Sequence, residues 1–85
     1  MERDEIMDRV CDVVSAVLGV NVGDITPQSR FVEDLGAESI QSIELVAAFE
    51  EEFEIEMDEE AALQVKSVDD AVDFIADVIT EQQDE

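Results

Sequence analysis

The segment Asp34-Leu35-Gly36-Ala37-Glu38-Ser39-Ile40-Gln41-Ser42-Ile43-Glu44-Leu45-Val46-Ala47-Ala48-Phe49, continued by Glu50-Glu51-Glu52-Phe53, decides the fold. It starts as a loop, with Gly36 free to take backbone angles closed to other residues. It then becomes a helical pattern at Ser39, whose hydroxyl suits the N-cap, where unpaired backbone N–H groups need acceptors. With Ile40 at zero and about 100° per residue, Ser42, Val46, Phe49 and Phe53 share a narrow arc flanked by Ile43 and Leu45. That arc is a core face. The opposite side carries Ile40, Gln41, Glu44, Ala47, Ala48 and Glu51, a mixture of acids and small or branched apolar residues that suits docking. The partial positive charge at the start of such a helix favours an attached phosphate.

Upstream, the spacing of Ile6, Met7, Val10, Val13, Val14 and Val17 predicts a helix over Glu2 to Leu18, ended by Gly19. Cys11, at the edge of that stripe, reads as a small core hydrophobe. Val20 to Glu38 is then a long connection. Thr26-Pro27 reads as the cap and first residue of a short helical turn, and Phe31, Val32 and Leu35 are apolar enough to pin the loop to the core. Downstream, Asp58 caps a short helix through about Leu63, with Glu59 and Glu60 in its favourable first turn. Ser67-Val68-Asp69-Asp70 has capping-box spacing ahead of a fourth helix bearing Ala71, Val72, Ile75, Val78 and Ile79. From Thr80 the composition is that of a frayed polar tail. The expectation is an all-α fold: a small four-helix bundle of three main helices and one short helix. One domain covers residues 1–80, and 81–85 form an acidic tail.

Composition removes several classes of function. With 85 residues, 46% of them hydrophobic, the chain has material for one core. It has no apolar run near the ~20 residues of a membrane span, and its charged start is not that of a secretory leader. A cytoplasmic protein, or the processed form of an organellar one, fits both readings. A single cysteine forbids an intrachain disulfide, and without His or Tyr there is no conventional base to activate a nucleophile. A non-enzymatic role, with no dedicated metal site, is expected. The net charge is −21, and between Phe31 and Val65 twelve acids stand without one base. Such a field repels nucleic acid and attracts basic protein patches, with weak divalent-cation binding. No EF-hand loop of alternating acids closed by Gly and Glu occurs. The charge alone also fits an acidic, non-catalytic interaction module, which leaves Ser39 and its loop without a role.

The string Asp-Leu-Gly-Ala-Glu-Ser-Ile at 34–40, with Ile43-Glu44-Leu45-Val46 and Phe49 to Phe53, resembles the acyl carrier proteins. The likeness continues through Glu59-Glu60 and Lys66-Ser67-Val68 to Asp73-Phe74-Ile75, nearly the whole chain. Where that family has Asp-Ser-Leu this chain has Glu38-Ser39-Ile40, and Gln41 and Asp58 also depart from its pattern. The resemblance implies a covalent 4′-phosphopantetheine arm on Ser39 that holds acyl groups as thioesters for fatty acid, lipid or polyketide biosynthesis. It implies as partners a phosphopantetheinyl transferase and acyl-processing enzymes with basic docking patches, met by a monomer. Glu44, Glu51, Ile40 and Ala47 would centre the docking face, with Glu38, Glu50, Glu59 and Glu60 as flanking charge. It also implies an acyl pocket between the helices, formed by Phe31, Ser42, Phe49, Met57, Ala62, Val65, Ala71 and Phe74.

Overall fold

Arg3–Leu18 form α1 in a computed structural model that describes residues 2–83. Ile6, Val10, Val13 and Val14 are its buried face, as their spacing requires, and Cys11 packs partly buried at the edge. Gly19 ends the helix at φ 70°, in the left-handed region where a Cβ is strained, and its N–H donates to the Ser15 carbonyl at 2.9 Å. Three further helices follow: α2 over Ser39–Phe53, α3 over Glu59–Ala62 and α4 over Val68–Gln83. Among the described residues there is no strand, only an isolated bridge between Arg30 and Ser67. No described helix is long and apolar enough to cross a membrane. The core lies where α1, α2 and α4 meet, around Val14, Phe49, Phe53, Val72 and Ile75.

The long α1–α2 connection is fastened to the start of α4. Phe31 N–H donates to the Lys66 carbonyl at 3.0 Å, while Val68 and Asp69 N–H donate to the carbonyls of Ser29 and Pro27, each at 2.9 Å. These last two bonds satisfy N–H groups that the first turn of α4 cannot pair internally. They also hold the short turn expected at Thr26-Pro27 to a single turn. The carbonyls a helix would use are already engaged, and Ser29 N–H closes the turn on Thr26 O at 3.0 Å. Ser29 is buried, with its hydroxyl accepting from Thr26 N–H at 2.9 Å. The helical piece of this loop lies earlier, as a 3-10 turn over Val22–Asp24. Ile25, Phe31 and Ala37 plug the loop into the core, with Leu35 half-buried, whereas Val32 is 62% exposed and pins nothing.

The caps differ in detail from the sequence reading. Ser39 is the first residue of α2 and Glu38 is the cap: Glu38 N–H donates to Gln41 Oε1 at 3.0 Å, the back-reaching half of a capping box. Asp58 caps α3 as expected, accepting from Glu60 and Ala61 N–H. Ser67 Oγ accepts from Asp70 N–H at 3.2 Å. Ile43, placed by the wheel beside the core arc, is 48% exposed, because α2 turns Leu45, Val46, Phe49 and Phe53 inward and leaves that flank uncovered. The last helix does not fray at Thr80. Ile79 is buried, and Gln82 is bonded to the backbone of Glu56, so helical structure continues to Gln83. Residues 84 and 85 of the expected tail lie outside the described residues.

Candidate functional site

Ser39 is exposed at the first position of α2. Its approach is a tightly bonded turn. Arg30 O accepts from Asp34 N–H at 2.9 Å and Leu35 N–H at 3.0 Å, and Arg30 N–H donates to Asp34 Oδ2 at 2.8 Å. Gly36 takes φ 71°, after which Ala37 N–H donates to Phe31 O at 2.8 Å and Ala37 is buried. The left-handed step at Gly36 turns the chain so that Ala37 faces the core and Ser39 faces solvent. The serine hydroxyl is therefore carried by a fixed backbone, beside the positive end of a fifteen-residue helix. The chain has no His or Tyr, so the only side chains beside that hydroxyl able to take a proton are carboxylates such as Glu38.

One helical turn on, Ser42 lines a cavity of about 260 Å³ enclosed by the loop, α2, α3 and α4. All eight residues that the resemblance assigned to a pocket border this one space. Phe31, Phe49, Ala62 and Ala71 are buried there, together with Leu45; Ser42, Met57, Val65 and Phe74 are half-buried. The mouth has members the sequence reading missed: exposed Val32 and Leu63, with Arg30, Glu33 and Lys66. Nothing in the helical periodicity marks them, because they lie on irregular chain that only the loop-to-α4 bonds bring together. Glu33 forms an ion pair with Arg30, whose guanidinium is held above its usual range by that carboxylate.

The acidic face is largely free. Glu38, Glu44, Ala47, Glu51, Glu59 and Glu60 are exposed, and Ile40 is 64% exposed at the head of the helix. Ile43 adds a second exposed branched residue that the wheel had assigned to the core flank. Glu50 is different: it is half-buried, and its carboxylate accepts from Met57 N–H at 3.1 Å. No group of three or more His, Cys, Asp or Glu among the described residues is placed to hold a metal ion. Cys11, the one thiol, is far in sequence from this region. Burial pushes its pKa above the ordinary value of 9.0, with Asp8 and Asp12 adding to the shift, which disfavours the nucleophilic thiolate.

Comparison with known proteins supplies the class. Residues 8–75 match a family described as the phosphopantetheine attachment site. The chain is 47% identical over 75 residues to an acyl carrier protein of Prochlorococcus marinus (strain MIT 9515), covering 88% of this chain and 94% of that protein. It is 44% identical over 75 residues to an acyl carrier protein of Cyanidioschyzon merolae (strain NIES-3377 / 10D), covering 88% of this chain and 82% of that one.

Proposed function

The chain belongs to the acyl carrier protein family, with a phosphopantetheine attachment domain over residues 8–75, and on that premise we propose that the arm is carried by Ser39. The observation that carries this reading is position. Ser39 is an exposed hydroxyl at the head of α2, three residues before Ser42 at the cavity, or about 4.5 Å along the axis at 1.5 Å per residue. A phosphate ester formed there lies at the positive end of the helix. The protein holds acyl groups as thioesters on the arm and presents them to enzymes of fatty acid or related biosynthesis. It is a carrier and not a catalyst: the hydroxyl is activated by the transferase, and later chemistry belongs to the arm and the partner enzymes. The bonded turn and helix give the arm a fixed root, and a tether of this kind raises effective concentration to the millimolar scale.

The test is an intact mass after co-expression with a phosphopantetheinyl transferase. Wild type gains one phosphopantetheinyl group, and Ser39→Ala gains none. Because Glu38 and Gln41 form the cap, Ser39→Ala changes stability by no more than about 0.5 kcal/mol, so a folded, unmodified variant is the expected outcome. A Ser39→Ala protein that still acquires the group sinks the assignment.

The cavity supports a shielded cargo. A space of about 260 Å³ has room for several chain atoms. Melting temperature should therefore rise with acyl length up to that size and then level off. A flat series leaves the chain in solvent. Docking falls to the exposed acids of α2 and α3 with Ile40 and Ala47, matching partners with basic patches. Weak divalent binding to the same acids is diffuse, since no preformed cluster gathers them.

A further inference from the structure

The linker between α2 and α3 is gripped at two successive peptide groups by side chains from two different helices. Gln82, in the last turn of α4, accepts from Glu56 N–H through Oε1 at 3.0 Å and donates from Nε2 to Glu56 O at 2.6 Å. One residue later, Met57 N–H donates to the Glu50 carboxylate of α2 at 3.1 Å. Engaging both polar groups of one residue requires a donor and an acceptor on one side chain. Glutamine provides both, and ionised glutamate provides only acceptors. Gln82 is exposed, so packing does not account for it.

The gripped linker leads into one wall of the cavity. Met57, Ala62, Leu63 and Val65 all border that space. The wall supports itself poorly: α3 has four residues, far below the length at which a helix holds its own. Its entry begins at Glu54, at φ 54°. Ile55 and Ala62 are its buried anchors. Segments with few buried contacts are those that open locally before the core does.

We propose that Gln82 is a positioning residue that latches the α3 wall, so that the last turn of α4 sets how readily the cavity opens. The consequence for an acyl chain rests on the carrier reading above; the latch itself does not.

Amide hydrogen exchange on the unmodified protein tests the latch directly. The informative amides are Ala62, Leu63 and Val65, which donate to Asp58, Glu59 and Ala62 carbonyls and never to Gln82. In Gln82→Ala they should exchange about tenfold faster, the loss of two net hydrogen bonds, and the core amides of Val10 and Val14, which open only with the whole fold, should quicken by no more than this. Gln82→Glu retains the acceptor for Glu56 N–H and should lie between the two. Unchanged rates at Ala62, Leu63 and Val65 overturn the latch, whether or not Val10 and Val14 quicken. On octanoyl-loaded protein, cleavage of the thioester by hydroxylamine should be faster in Gln82→Ala. Faster exchange with unchanged cleavage overturns the gating of the cavity. If wild type cannot be loaded at all, the carrier reading fails and the exchange rates still decide the latch.

Discussion

Replacing Glu54 with glycine is expected to stabilise the protein by about 1 kcal/mol. Glu54 ends α2 at φ 54° and ψ 50°, the one described non-glycine residue with positive φ. Its backbone is committed to this geometry, because its N–H donates to Glu50 O and Ile55 N–H returns to the same carbonyl at 3.1 Å. Its side chain is exposed and joins no ion pair among the described residues. The left-handed conformation costs a residue with a Cβ roughly 1–2 kcal/mol. Glycine removes that cost but returns about 0.4–1 kcal/mol by enlarging the freedom of the unfolded chain. The substitution also removes a carboxylate from the negative end of a helix, worth about 0.3–1 kcal/mol at low ionic strength.

Thermal melts of wild type, Glu54→Gly and Glu54→Gln at low and high salt separate these contributions. Glutamine removes the charge and keeps the Cβ, so its gain should vanish at high salt. Glycine should keep most of its gain there, a rise of about 4–8 °C in Tm per kcal/mol for a domain of this size. If glycine is no better than glutamine at high salt, the backbone at this position is unstrained and the reasoning fails.

Glu44→Lys should slow association with a partner enzyme and flatten its salt dependence, read by stopped-flow at several ionic strengths; an unchanged rate at low salt places the docking face elsewhere. Added salt should raise the melting temperature by screening the twelve acids between Phe31 and Val65, of which only Glu33 and Glu52 join an ion pair among the described residues, and millimolar Mg²⁺ should raise it further, so a Tm indifferent to both refutes the repulsion. Cys11 should react slowly with iodoacetamide at pH 8. Because its folded pKa lies above the ordinary 9.0, the unfolded thiol ionises first. Its contribution to stability is thus fully present below pH 9 and declines as pH rises through the folded value, whereas Cys11→Ala should lack that alkaline component.

The helices were legible because period and core agree. The stripe Ile6, Val10, Val13, Val14 and the arc Val46, Phe49, Phe53 are buried where the wheel puts them. Asp58 could be read as a cap because its bonds are local, to Glu60 and Ala61. Ser39 could not be placed to the residue, since Glu38 and Ser39 both suit a cap and only Gln41 reaching back to Glu38 N–H decides between them. Val32 and Ile43 were misplaced because apolar character does not say which flank a neighbouring helix leaves open. Gln82 was invisible for a deeper reason: its partner lies 26 residues away in a linker with no periodicity. The pocket became legible through family likeness and not through pattern, as Phe31 and Met57 reach it from irregular chain.

The ion pairs show how so acidic a chain can keep one face uncompensated and still fold. Arg3 bridges α1 to Asp69 and Asp73 of α4, and Arg9 joins Glu5 of its own helix to Glu52 at the end of α2. Both cations of α1 are thus spent between helices. Arg30 pairs locally with Glu33, and Lys66 pairs with no described residue. Every pair is exposed, and exposed pairs contribute little each, so the bundle is held by its apolar core and the arginines chiefly relieve repulsion where α1 meets its neighbours. Glu44, Glu51, Glu59 and Glu60 receive no such relief. A cation placed to offset their charge, as Arg9 of α1 does for Glu52, would also weaken the field proposed above to attract a basic partner. On the docking proposed above, the repulsion on α2 and α3 and the attraction of partners would be one property of the same side chains, so added salt should stabilise the fold and weaken docking together.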